Sequence, residues 1–232
     1  FTKAIELNPN NADAYTNRGN VKQNLNDNYG AIADYDKAIE TYGGSLEFNT
    51  NTAITYSNRG NAKLKLKDYY GAIADYTKAI ELNPYFEIAY YNRGNAKSNL
   101  KDYYGAIADY TKAIELDPDY ASAYYNRGNA KDDLKDYYGA IADYTKAIEL
   151  DPDDAIAYSN RGNAKDDLKD YYGAIADYTK AIELDPDYAS AYSNRGISKE
   201  NLGDLRGACA DWRKAASLGH SNSAKWVRNQ CN

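Results

Sequence analysis

The side chains with chemistry to offer are asparagines, and they come in pairs three residues apart. Asn17/Asn20 return as Asn58/Asn61, Asn92/Asn95, Asn126/Asn129 and Asn160/Asn163, and the series ends as Asn194 with Ile197. Amides at i and i+3 of a helix lie on one side. Each carboxamide offers one acceptor oxygen and two donor hydrogens, so a row of them matches the C=O and N–H groups of an extended peptide. The competing reading is that an asparagine near a helix start caps or bridges within its own repeat. The second member of each pair is the stronger candidate, because mid-helix propensity disfavours asparagine. The candidate set is Asn20, Asn58, Asn61, Asn92, Asn95, Asn126, Asn129, Asn160 and Asn163. Tyr91 and Tyr125 flank the amides as aromatic contact area, with ordinary packing as their alternative.

Acidic pairs follow on the same face. Gln23/Asn24, Leu64/Lys65 and Ser98/Asn99 give way to Asp132/Asp133 and Asp166/Asp167. With Asp119 and Asp153 at the bends, the C-terminal half reads as an acidic wall suited to a basic peptide segment. A solvated helix face with no partner is the alternative.

These residues ride on a repeat. From Arg59-Gly60 to Arg195-Gly196 the run NRGNAK…GAIADYTKAIELDP recurs, nearly letter for letter, every 34 residues, the period of a helix–turn–helix unit that must stack on its neighbour. The repeats are 12–52, 53–86, 87–120, 121–154, 155–188 and 189–222. Arg18 to Arg59 is 41 residues, and the surplus TYGGSLEFNTNT at 41–52 reads as a longer loop. Residues 1–11 read as the tail of a preceding repeat, so the chain is expected to continue upstream. Residues 223–232 read as a capping helix.

In the copy 121–154, Ala123, Arg127, Ala130 and Leu134 make the stripe of a first helix. Tyr137, Ala140, Ile141, Tyr144, Ala147 and Ile148 make that of a second. Lys135-Asp136 is the tight turn, Asp136 a candidate N-cap, and Pro152 the stop. Gly128 and Ala140 mark a close helix crossing.

An arginine on an apolar stripe requires a partner. Arg18, Arg59, Arg93, Arg127, Arg161 and Arg195 are matched by Asp34, Asp75, Asp109, Asp143, Asp177 and Asp211 of the second helices. The expectation is a forked guanidinium–carboxylate pair, with arginine heads emerging beside the amides as the alternative.

Catalysis finds no footing. His220, the only histidine, reads as a turn residue. No phosphate-cradling glycine run, nucleophile elbow or metal cluster is present, so no enzyme, cofactor or metal is expected. Cys209 on an apolar stripe and Cys231 in the cap read as two separate reduced thiols; a disulfide across a folded-back cap is the alternative. Trp212 and Trp226 are expected to seal the last interface. With 28 Lys and Arg against 34 Asp and Glu, the net charge of −6 argues against a phosphate-backbone binder. No apolar run reaches 18 residues, so no membrane span is expected.

The pattern at Tyr124, Gly128, Tyr137, Ala140, Tyr144, Ala147 and Pro152 resembles the tetratricopeptide repeat across the whole chain, and the wording NRGNAK is similar to cyanobacterial and plastid-lineage members. Arg127 and its equivalents stand where the family usually has leucine. The resemblance implies an all-α, right-handed superhelical solenoid of antiparallel helix pairs, with first helices lining a concave surface. It implies a protein–protein interaction scaffold for an extended, basic peptide in a cytoplasmic or stroma-like compartment. Members that clamp a C-terminal carboxylate use Lys and Arg beside the asparagines. Here those positions hold Thr16, Ser57, Tyr91, Tyr125 and Ser159, with Asp13, Ile54, Ile88, Ser122 and Ile156 as neighbours. Self-association through the open N-terminal edge is expected. An RNA-binding helical-repeat factor and a substrate-holding region of a larger enzyme are the alternatives.

Overall fold

The computed structural model describes residues 1–43 and 50–231, and its regular elements are helices throughout. The chain divides into two compact units, Phe1–Pro118 and Asp119–Asn232. The first holds α1 (Thr2–Leu7), α2 (Ala12–Asn24), α3 (Asn28–Thr41), α4 (Thr50–Lys65), α5 (Tyr69–Leu82), α6 (Glu87–Asn99) and α7 (Tyr103–Leu116). The second holds α8 (Ala121–Asp133), α9 (Tyr137–Leu150), α10 (Ala155–Asp167), α11 (Tyr171–Leu184), α12 (Ala189–Asn201), α13 (Leu205–Ser217) and α14 (Ser221–Gln230). Within each unit consecutive helices pack together, and the first helices also touch one another: α2 with α4 and α4 with α6, then α8 with α10 and α10 with α12. The fold is the expected all-α solenoid of antiparallel helix pairs, of the α–α superhelix class.

Local chemistry sets each hairpin. The residue before the capping aspartate adopts a left-handed backbone, φ 62–64° at Lys67, Lys101, Lys135 and Lys169, and reverses the chain. Asp68, Asp102, Asp136 and Asp170 then cap the second helix by accepting the N–H of Gly71, Gly105, Gly139 and Gly173 at 3.0 Å. A Cβ on those glycines would lie 2.1–2.2 Å from the capping carboxylate. The second helix ends at an extended residue before Pro84, Pro118, Pro152 or Pro186, which cannot donate to a continuing helix.

The core is a series of thin layers. Tyr76 and Ala72 of α5 bury against Ala96 of α6, and Tyr144 and Ala140 of α9 against Ala164 of α10. The same ring presses on the glycine of its own first helix: a Cβ on Gly60 would stand 2.7 Å from Tyr76. The small residue expected at the crossing is therefore required there by the tyrosine.

Each arginine meets the aspartate of its own repeat. Arg161 donates from Nε and Nη2 to the two oxygens of Asp177 at 3.0 and 2.7 Å, and Lys165 joins at 2.7 Å. Nη1 reaches back to Thr145 of the preceding second helix at 3.1 Å, and the guanidinium carbon lies 5.4 Å from the Tyr158 ring centroid. The sequence reading found the pair but not the lysine, threonine and tyrosine around it. The guanidinium groups are thus committed to the stack rather than to the amide row.

Three details differ from expectation. The loop read over 41–52 is shorter at both ends. Thr41 closes α3 with its hydroxyl donating to the Lys37 carbonyl at 2.7 Å, while Thr52 is already buried within α4; 44–49 lie outside the described residues. The cap begins at Ser221 rather than 223, because His220 Nδ1 accepts the Ser223 N–H and fixes the helix start. The cysteines are not separate thiols. Helix α14 folds back across α13, bringing the Cα atoms of Cys209 and Cys231 to 5.5 Å, and the two are joined by a disulfide.

Candidate functional site

The asparagine pairs are knitted into rungs between successive first helices. In the first unit, Asn20 Oδ1 accepts from the Tyr35 hydroxyl at 2.8 Å and from Asn58 Nδ2 at 3.0 Å. Asn61 Oδ1 accepts from the Tyr76 hydroxyl at 2.7 Å and from Asn92 Nδ2 at 3.0 Å. Tyr110 donates to Asn95 in the same way. In the second unit, Asn129 Oδ1 takes the Tyr144 hydroxyl at 2.8 Å and Asn160 Nδ2 at 3.2 Å, and Asn163 Oδ1 takes Tyr178 at 2.8 Å and Asn194 Nδ2 at 2.9 Å. Asn126 holds the equivalent place on α8.

Two donors meet each of the Asn20, Asn61, Asn129 and Asn163 oxygens, so both lone pairs there are occupied. No described residue accepts from Nδ2 of Asn20, Asn61 or Asn163. In Asn20, Asn61 and Asn163 the acceptor end bridges repeats, whereas Asn58, Asn92, Asn160 and Asn194 spend a donor on the rung. The bridging reading of the asparagines is thus realised within the stack.

The tyrosine hydroxyls are the members that sequence reasoning missed. Burial pushes the phenols of Tyr76, Tyr144 and Tyr178 far above their ordinary value, which keeps the proton on the donor. The signal was present: a position buried this deeply is tyrosine rather than phenylalanine in five repeats, and a buried hydroxyl needs a partner.

Tyr91 and Tyr125 are half-buried and tilt against Tyr110 and Tyr144 with ring centroids 5.9 Å apart. The Tyr125 hydroxyl accepts from Asn160 Nδ2 at 2.8 Å, so this ring braces the rung it was expected to flank. Thr16, Ser57 and Ser159, at the same helix position, are buried between helices. Ile54, Ile88 and Ile156 stand exposed four residues before their amides and give the face apolar contacts.

The acidic pairs lie in the second unit. A cavity of about 280 Å³ is lined by Asn163, Asp166, Asp167, Tyr178, Asn194 and Ile197. Burial pushes the Asp166 carboxyl up, partly offset by a short hydrogen bond from the Ser198 hydroxyl. Asp132 is pushed up by burial and then by the charges of Asp167 and Asp133, and its Oδ1 has no hydrogen-bond partner among the described residues. Asp133 and Asp167 are exposed. The arrangement concentrates negative charge beside amide donors. In the first unit the corresponding cavity, about 330 Å³, is lined by Asp13, Thr16, Asn17, Asn20, Tyr42, Asn51 and Ile54. There Tyr42 donates to Asp13 at 2.5 Å.

Among the described residues no group of three His, Cys, Asp or Glu side chains could hold a metal ion, and no helix is long and apolar enough to cross a membrane.

Comparison with known proteins follows the same lines. A tetratricopeptide repeat profile matches residues 53–86, 88–120, 121–154 and 155–188, and a second matches 1–33 and 177–210. The crystal structure of MamA is 27% identical and aligns over 71% of this chain and 96% of its own, with a TM-score of 0.68. YrrB, described as a TPR protein with an unusual peptide-binding site, is 25% identical over 84% of this chain and 97% of its own, with a TM-score of 0.71. The first TPR of Spaghetti (RPAP3), bound to the HSP90 peptide SRMEEVD, is 30% identical over 52% of this chain and 95% of its own, with a TM-score of 0.51. No curated protein sequence matches the chain. By its profile matches and its stacked helix pairs, the chain belongs to the tetratricopeptide repeat family.

Proposed function

We propose that the chain is a protein–protein interaction scaffold that binds an extended peptide along its first helices. The observation that carries this reading is the Nδ2 of Asn20, Asn61 and Asn163, which no described residue accepts from and which can donate to the carbonyl oxygens of a strand-like ligand. YrrB and the Spaghetti repeat, which share the fold, carry peptide sites of their own. Exposed Ile54, Ile88 and Ile156 supply side-chain contacts beside the amides. In the second unit, Asp132, Asp133, Asp166 and Asp167 favour Lys or Arg side chains on the ligand and disfavour nucleic acid. A free C-terminal carboxylate is not required.

Asparagine-to-aspartate exchange tests the reading cleanly. Asn61→Asp and Asn163→Asp keep the oxygen that serves the tyrosine and the neighbouring amide, and remove the donors. Peptide anisotropy on the parent is expected to show basic extended peptides binding best, and the variants are read with the neutral peptide, because the added carboxylates would themselves attract a basic one. Loss of affinity without loss of melting temperature supports the site. Unchanged affinity places binding elsewhere.

A second reading concerns self-association. Helix α1 buries none of its residues, and Phe1 and Leu7 are exposed. A second copy docked on this edge would cover them. Sedimentation velocity across a concentration series should show a growing dimer fraction; a strictly monomeric chain refutes it. The lineage resemblance of NRGNAK and a cytoplasmic or stroma-like compartment belong to the same proposal.

A further inference from the structure

Helix α14 covers the end of the last repeat, and little of it is buried. Ser223 is its one buried residue. It packs through one edge: Trp226 tilts on Trp212 with centroids 5.3 Å apart, Val227 and Cys231 rest on the same surface, and the Ser223 hydroxyl donates to Ser193 at 3.1 Å. Arg213 donates to the Cys231 carbonyl at 2.7 Å. At 10 residues the helix is too short to persist alone in water. A further restraint is covalent, the bond from Cys231, directly after α14, to Cys209 in α13. Beneath it lies an apolar surface made by Ala208, Cys209 and Trp212, with Ile197 packed alongside. Earlier second helices offer the same kind of surface to the next first helix, as Tyr144 and Ala140 do to Ala164. Helix α14 thus takes the place on α13 that the next first helix takes on the earlier second helices.

We propose that the Cys209–Cys231 bond is a redox latch on this cap: reduction by a dithiol frees α14 and uncovers the Trp212 face, while α12 and α13 stay folded. One thiolate of the dithiol attacks Sγ of half-buried Cys231, since Cys209 is only 5% exposed, and Cys209 leaves as the thiolate. The second thiol then closes on the mixed disulfide and releases Cys231. Two electrons pass from the dithiol to the protein, the dithiol becomes a disulfide, and each cysteine ends with a proton. Opening a link across 22 residues raises the released population by on the order of 100-fold through chain entropy. Helices α12 and α13 do not depend on the link. Arg195 and Lys199 both hold Asp211 at 2.7 Å, and Trp212 Nε1 donates to the Ser193 carbonyl at 3.3 Å.

The chain's only two tryptophans, Trp212 on α13 and Trp226 on α14, meet where the cap is seated, so their fluorescence reports on that contact. Hydrogen exchange, thiol titration and tryptophan emission are to be followed before and after dithiothreitol, with Cys231→Ser as the reductant-free counterpart. The expected result is no titratable thiol before reduction and two after it. Emission should then shift to the red, and α14 amides lose protection about 100-fold while α12 and α13 amides keep theirs. Cys231→Ser should match the reduced protein. Thiols that titrate in the untreated protein overturn the proposal. So does α14 protection that survives reduction, or protection lost from α12 and α13 together with α14.

Discussion

The hydroxyl of Tyr178 donates to Oδ1 of Asn163 at 2.8 Å and ties the second helix of its repeat to the amide row of the first. The relationship repeats at Tyr35–Asn20, Tyr76–Asn61, Tyr110–Asn95 and Tyr144–Asn129. In the last repeat both members change together, to Trp212 and Ile197, and the pair becomes apolar. The rung is therefore a device for stacking one repeat on the next.

Tyr178→Phe keeps the ring and deletes the donor. Urea unfolding should show a loss of about 1 kcal/mol, the ordinary net worth of one hydrogen bond. Copying the last repeat, Asn163→Ile with Tyr178→Trp, should be less damaging than the sum of the single changes. A double-mutant cycle checks this; a coupling energy of at least about 0.5 kcal/mol is expected for residues in contact, and strict additivity would show that the two positions are independent.

The fold was legible because every repeat states the same instructions. The capping Asp136, the stop at Pro152 and the small Gly128 each have a local reason to be where they are, and the copies agree. The amide row was legible as a row, but not its engagement. Which end of an asparagine faces its neighbour depends on where the Tyr178 hydroxyl arrives from another helix, and a one-helix reading does not contain that. Lys165 escaped for a different reason. It looks like a solvated lysine, and only its spacing of four from Arg161 hints that both reach Asp177. The disulfide was undecided because it hangs on the angle at which α14 returns, which no residue of the Leu-Gly-His-Ser turn prescribes.

Asp177 holds two cations, so its loss should exceed that of either partner. Its side chain is 5% exposed, against 16% for Arg161 and 21% for Lys165. Asp177→Asn leaves Arg161 and Lys165 facing each other and should destabilise by about 2–4 kcal/mol in urea titration, below the full range for a buried pair because both heads reach water. Lys165→Ala should cost much less. Equal effects from the two substitutions would refute the shared-carboxylate arrangement.

Asp34 and Asp132 should pull the pH dependence of stability in opposite directions. Burial raises the Asp34 carboxyl, but hydrogen bonds from Arg18 and Lys22 together outweigh it and leave the group below its usual range. Its contribution is present above the unfolded value, about 3.9, and is lost as pH falls through the depressed value. Asp132 is raised by burial and by Asp167 and Asp133, so the folded state binds its proton more tightly. That group opposes folding increasingly as pH climbs from about 4 through its raised value. Asp132→Asn should therefore be more stable than the parent at pH 7 and equal to it near pH 3, by urea midpoints at each pH. The same variant should bind a basic peptide more weakly. A variant neither more stable nor weaker in binding would remove Asp132 from both roles.

Lys169 provides the last test, of backbone rather than side chain. Its φ of 64° lies in the left-handed region, where a Cβ is crowded by the neighbouring carbonyl. Gly203 occupies the corresponding turn of the last repeat at φ 82°, so the hairpin accepts glycine there. No ion pair of Lys169 offsets the strain among the described residues. Lys169→Gly should raise stability by about 0.5–1 kcal/mol, since glycine adopts this conformation without strain and the gain exceeds its extra unfolded-state entropy. Combining it with Lys135→Gly should add, because each substitution acts on the backbone of its own hairpin. A fall in the urea midpoint of the single variant would show that the turn is held by something other than its own geometry, and that Lys169 has a role the hairpin chemistry does not supply.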